Sequence, residues 1–180
     1  MALGATVYSF EITLNDADRG VYETLAFRVA RHPSEHEAFL ATRVLAYCLE
    51  YTEGLTFSRG GLSDPDEPAL AIRDLTGVLK SWIEVGLPEA ARLHRAAKAA
   101  PRVVIYPHRE AAVLVGRLSS ETIHRASEIE IRELDPALVT GFAAALDRRM
   151  TLDLAVSDAH LYLSTGTATL DGPITLHRLG

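Results

Sequence analysis

Residues 5 to 14, ATVYSFEITL, are rich in β-branched and aromatic side chains and predict a strand. The turn cluster NDADRG follows, and VYETLAFRVA (21 to 30) alternates in part as the hairpin partner. The spacing then becomes helical. Ala41, Val44, Leu45, Cys48 and Leu49 recur on one helix face to about Tyr51, with Ser34 as the predicted N-cap and Glu37 completing a capping box. Residues 56 to 68, TFSRGGLSDPDEP, are dense in Gly, Pro and Asp and predict a long turn. EPALAIRDL predicts a short helix or helical turn. VLKSWIEVG predicts a central strand, and PEAARLHRAAKAA a helix with Pro88 at its first position. RVVIYP (102 to 107) has the apolar character of a strand buried inside a sheet. Residues 109 to 124 are expected to be mostly helix, and SEIEIREL (127 to 134) a strand. DPALVTGFAAALDRR predicts a helix capped by Asp135 and begun at Pro136. The tail, MTLDLAVSD, HLYLST and GTATLDGPITLHRL, predicts two or three antiparallel strands.

This order of elements predicts an α/β fold, a mixed sheet flanked by helices with extra antiparallel strands. The unit from 79 to 106 is expected to be a right-handed parallel crossover. A chain of 180 residues fits a single domain spanning 1 to 180.

Composition narrows the function. Hydrophobic residues make up 48% and charged residues 23%, as in an ordinary soluble globular protein. The single cysteine, Cys48, excludes an internal disulfide, fits a reducing compartment and sits among apolar neighbours, where packing is its expected role. The start lacks a basic segment followed by a long apolar one, and no apolar run approaches the roughly 20 residues that span a membrane. A cytoplasmic protein with no membrane partner is the expectation. The net charge of −6 excludes binding of polyanions by bulk charge, so any nucleic-acid function requires a locally basic face.

One constellation carries chemistry. Glu84 stands between Ile83 and Val85 in a strand, on the side that Trp82 shares by the period of two. A half-buried carboxylate needs a partner, a metal or a raised pKa. Between Glu89 and Glu110 the chain has no acid, while Arg92, Arg95, Lys98, Arg102 and Arg109 make it markedly basic. Upstream lie the DPDEP stretch (64 to 68) and the helix-start acids Glu35 and Glu37, of which Glu37 is accounted for by the capping box. Carboxylates beside a basic face suit metal-assisted phosphodiester cleavage, in which a hard cation such as Mg²⁺ takes carboxylate oxygens and polarises the phosphoryl group. The basic helix 88–100 would hold the phosphates of a nucleic acid. The histidines have no metal-ligand spacing, and no Gly-rich phosphate loop or Ser-His-Asp spacing is visible.

The stretches ARHPSE, DEP, WIEVGLP, the Arg-rich helix after it and VVIY resemble the YaeQ family of bacterial proteins, and the resemblance covers essentially the whole chain. It implies a variant of the PD-(D/E)-x-K nuclease-like fold, with a restriction-endonuclease-like core. By that resemblance Glu84 is the strand acid, Asp66 or Glu67 the loop acid, and Glu35 the helix acid. Val85 would lend a backbone carbonyl to Mg²⁺. Pro65-Asp66 spells the PD pair. The lysine of the superfamily is replaced by Gly86, which makes Arg92 or Arg95 the candidate substitute cation. An arginine stays protonated and could only orient water or stabilise charge. Two functions follow: a metal-dependent nuclease-like enzyme, or a non-catalytic nuclease-fold module that binds nucleic acid or a protein partner. They separate on whether Asp66, Glu67 and Glu84 converge on one cation.

Overall fold

A computed structural model describes residues 4–59, 64 and 66–179. In chain order its elements are β1 (Thr6–Asp16), β2 (Val21–Arg31), α1 (Glu37–Leu49), β3 (Leu55–Phe57), β4 (Leu70–Arg73), β5 (Leu79–Val85), α2 (Ala90–Ala99), β6 (Arg102–Tyr106), α3 (Ala111–Leu118), β7 (Glu130–Leu134), α4 (Pro136–Ala145), β8 (Arg149–Ser157), β9 (His160–Ser164) and β10 (Thr169–Arg178). The chain is mixed α/β. It divides into two compact units, Met1–Ala41 with Leu134–Thr175, and Thr42–Glu133 with Leu176–Gly180.

In the first unit β1 pairs antiparallel with β2 and parallel with β8, and β9 continues antiparallel between β8 and β10. The alternation of β1 is strict: Tyr8, Phe10, Ile12, Leu14 and Asp16 are buried, while Val7, Glu11 and Asn15 are exposed. Leu152, Leu154, Val156, Leu161 and Leu163 continue that apolar face by register, and α4 buries Leu138, Val139 and Phe142. Asp135 caps α4 as expected, accepting a hydrogen bond from the Leu138 amide at 3.1 Å. The turn between β8 and β9 puts Asp158 and Ala159 at positive φ, and the Asp18 carboxylate accepts both of their amides at 2.8 Å.

The second unit carries the candidate site. β7, β6 and β5 are parallel, and β4 and β3 follow antiparallel to the far edge. One face holds Trp82, Val103, Ile105 and Ile131, covered by Leu93, Ala96 and Ala97 of α2 and by Ala111, Leu114 and Leu118 of α3. On the other face α1 packs through Tyr47, whose ring stacks on Phe57 at 4.7 Å. A sheet covered on both sides explains why β5 and β6 are buried almost throughout.

Several boundaries differ from the sequence expectation. Residues 70 to 73 form β4 rather than a helical turn, because pairing between β3 and β5 outweighs the helix preference of Ala-Leu-Ala. Ser34 does not cap α1. The Glu35 amide donates to the His32 carbonyl and the Glu35 carboxylate accepts the His32 amide, closing a turn over 32–35. The helix therefore begins later, with the His36 carbonyl accepting its first amides, and Glu37 is a first-turn residue rather than half of a capping box. Pro88 precedes α2 instead of starting it. The carbonyls of Leu87 and Pro88 accept from Arg117, which holds this segment extended until Glu89 takes the N-cap position. The helix expected over 109–124 is confined to α3, and Ala126–Glu128 make one 3₁₀ turn before β7.

Candidate functional site

Glu84 lies one residue from the end of β5 and only 4% of its surface is exposed. Its neighbour Val85 is a buried ladder residue opposite Tyr106. The chain then turns at Gly86, whose φ of +104° suits glycine and few other residues, and whose amide donates to the Tyr106 carbonyl. Strand alternation puts Trp82 and Glu84 on the face covered by α2, and the Trp82 indole N–H donates to Glu84 Oε1 at 2.6 Å.

Arg92, in the first turn of α2, reaches back to this strand end. Its Nε donates to Glu84 Oε2 at 2.9 Å, one terminal nitrogen to the Asp64 carbonyl at 2.8 Å, and the other to the Glu67 carbonyl at 2.5 Å. The guanidinium also lies 5.5 Å from the centre of the Trp82 ring. One carboxylate oxygen and two backbone carbonyls thus converge on a single cation, and that cation is Arg92. Burial pushes the Glu84 carboxyl above its ordinary value, and the bonds from Arg92 and Trp82 offset only part of this.

The loop acids stand elsewhere. The Glu67 carboxylate turns to the Ser58 hydroxyl at 3.1 Å and the Arg59 amide at 3.3 Å, and the Asp66 side chain is exposed. Asp64 accepts the Asp66 amide in a local turn, and Pro65 of the PD pair lies outside the described residues. Asp66, Glu67 and Glu84 therefore do not form one cluster. Among the described residues no group of three or more His, Cys, Asp and Glu side chains is placed to hold a metal ion. The oxygens around Arg92 do not fit Mg²⁺ while the guanidinium stays. Glu35 belongs to the first unit, where its carboxylate serves the 32–35 turn. Arg95 and Lys98 lie exposed on α2 without an acidic partner among the described residues, and Arg109 is exposed beyond β6.

Sequence reasoning missed a second polar cluster on the opposite face. Glu50, directly after α1, accepts both terminal nitrogens of Arg102 at 2.7 and 3.2 Å, the Tyr106 hydroxyl at 2.5 Å and Arg132 at 3.3 Å. Arg102 also pairs with Glu130 at 2.7 Å. The signal was present: Arg102 and Tyr106 share one side of β6 by the period of two, as Glu130 and Arg132 share one side of β7.

Comparison with known proteins gives a consistent result. The family model described as YaeQ protein matches residues 1–173. The uncharacterized protein YaeQ of Escherichia coli K12 is 30% identical over 176 residues and that of Salmonella typhi 31%, with 97% of each chain covered in both cases. The crystal structure of a YaeQ protein from Pseudomonas syringae superposes with a TM-score of 0.83 at 32% identity, covering 98% of this chain and 96% of that one. The YaeQ protein from Xanthomonas axonopodis pv. citri gives a TM-score of 0.79 at 28% identity, with 97% of both chains covered.

Proposed function

The chain belongs to the YaeQ family, and from that premise we propose that it is a module on a nuclease-like core that binds the phosphate backbone of nucleic acid without metal-dependent cleavage. The observation that carries this reading is the position of Arg92. Its guanidinium takes up Glu84 and the carbonyls of Asp64 and Glu67, the place between strand and loop that a hard cation would need. A side chain that never loses its proton neutralises the acid there, and Gly86 stands where the nuclease-type lysine would be. On the following turns of α2, Arg95 and Lys98 offer exposed cations of the kind that hold phosphates by releasing counterions.

The test is fluorescence anisotropy with labelled single- and double-stranded DNA and RNA oligonucleotides over rising salt, followed by gel analysis with and without Mg²⁺. The reading expects salt-dependent binding, intact oligonucleotides, and a salt slope lowered by about 2 when Arg95 and Lys98 are both changed to alanine, about one per lost phosphate contact. No binding at low salt would remove it.

Metal-assisted cleavage is the second reading, and the oxygen set itself favours it. If Arg92 withdraws, Glu84 and the two carbonyls are ligands of the type hard cations accept. Cleavage that requires Mg²⁺ and disappears in Glu84→Gln would establish that reading in place of the first.

A further inference from the structure

A pocket of about 450 Å³ opens on the edge of the second unit, lined by Thr56, Arg59, Glu67, Arg73, Asp74 and Gly77 among others. Thr56 of β3, Ala71 of β4 and Trp82 of β5 are successive register partners, so the pocket lies on the same sheet face as Glu84. Its charged groups are unequal in how they are used. The Glu67 carboxylate accepts the Ser58 hydroxyl and the Arg59 amide. Asp74 Oδ1 accepts the amides of Thr76 and Val78 and the Thr76 hydroxyl, and Oδ2 lies 3.6 Å from Lys80 Nζ. The guanidinium groups of Arg59 and Arg73 have no ion-pair or hydrogen-bond partner among the described residues. With Lys80 set against Asp74, the surroundings carry one surplus positive charge.

The backbone under Arg73 is fixed. The ladder shifts register between Ile72 and Arg73, the Arg73 amide donates to the Gly54 carbonyl at 3.2 Å, and a Cβ at Gly54 would stand 2.1 Å from the Arg73 carbonyl oxygen. An arginine anchored in this way and left without a carboxylate keeps its forked donors for a ligand.

We propose that this pocket is an anion site for a phosphate group, held by the guanidinium groups of Arg59 and Arg73. Planar forked donors match phosphate oxygens two at a time, which a point charge such as lysine does not. The inference is separate from the reading of α2, because none of its residues belongs to that helix. The phosphate can come from a free mononucleotide or from a nucleic-acid backbone.

Calorimetric titration with pyrophosphate tests the pocket. The wild type is expected to bind, Arg73→Ala to weaken binding at least tenfold, Arg59→Ala to weaken it as well, and Arg95→Ala/Lys98→Ala to leave it unchanged. Arg59 is exposed, so its variant keeps the test valid if Arg73→Ala fails to fold. A decathymidylate arm separates the sources. Loss of oligonucleotide affinity in Arg59→Ala/Arg73→Ala assigns the pocket to backbone phosphate, and unchanged affinity with lost pyrophosphate binding assigns it to a free phosphate compound. No pyrophosphate binding by the wild type at millimolar concentration, or binding by Arg59→Ala and Arg73→Ala as tight as that of the wild type, overturns the proposal. Loss of oligonucleotide binding in the α2 variant alone bears only on the function proposed for that helix.

Discussion

Glu50 and Glu84 are buried to nearly the same degree, 5% and 4% exposed, on opposite faces of one sheet, yet their carboxyls shift in opposite directions. Burial pushes both upward. At Glu50 the bonds and charge of Arg102, the Tyr106 hydroxyl and the charge of Arg132 overcome it and hold the carboxyl below its ordinary value. At Glu84 burial prevails over Arg92 and Trp82. The difference lies in how the partners are spent. Arg102 gives both terminal nitrogens to Glu50, whereas Arg92 gives Glu84 a single N–H and the rest of its fork to two neutral carbonyls. An arginine shared with a loop ties that loop to the strand and leaves its carboxylate undercompensated. Glu50 is thus a closed structural network, and Glu84 a joint between strand, helix and loop.

The sharpest way to break this contrast is to remove the charge from Glu50. Glu50→Gln takes the shared negative charge from two partly buried arginines and turns one acceptor oxygen into a donor facing them, and is expected to cost about 3 kcal/mol in urea unfolding. Glu84→Gln should cost less, about 1–2 kcal/mol, because Arg92 retains its two carbonyls. If Glu84→Gln proves the more damaging change, the contrast inverts. Smaller again are Tyr106→Phe, which removes the donor to Glu50 and an acceptor of Arg132, and Trp82→Phe, which removes the donor to Glu84, the lost bonds costing about 1 kcal/mol in each. In a carbon-13 titration of the carboxyls, both should move the adjacent glutamate upward, Glu50 toward its ordinary value and Glu84 further from it.

The smallest effect sharpens the comparison through pH. Glu84 titrates higher in the folded chain than in the unfolded one. The stability drawn from its protonated form is complete below the unfolded value and is lost as pH rises through the folded value. Glu50 titrates lower when folded. Its contribution is present above the unfolded value and is lost as pH falls through the folded value. Across acid pH, the stability of the wild type minus that of Glu84→Gln should fall with rising pH, and the difference from Glu50→Gln should rise. Slopes of one sign would show that the two sites are not distinct.

Much of this was legible in the chain. The alternation of β1, the apolar run in β6 and the Asp135 cap each depend on residues within a few positions. Glu84 was identifiable as a buried acid because an apolar strand surrounds it, and Arg92 or Arg95 as its neighbour because a helix starts six residues after it. The loop was misread in its chemistry. Asp66 and Glu67 are acids in the right stretch, but Arg92 meets the backbone carbonyls of Asp64 and Glu67 and neither carboxylate. The helical turn expected at 70–73 failed for a related reason, since its strand identity comes from β3 and β5 on either side.

The sequence by itself therefore determined the family, the mixed α/β class, most strands and helices, and the presence of a carboxylate inside β5. Those features follow from short-range periodicity, capping and burial preference. Only the tertiary structure decided which cation meets which acid. Arg92 bonds a carbonyl 28 residues away, and Arg132 reaches Glu50 across 82 residues. No local pattern encodes such pairings, because a buried charge is satisfied by whatever donor the folded sheet brings to it, and that depends on register and on the face each side chain occupies.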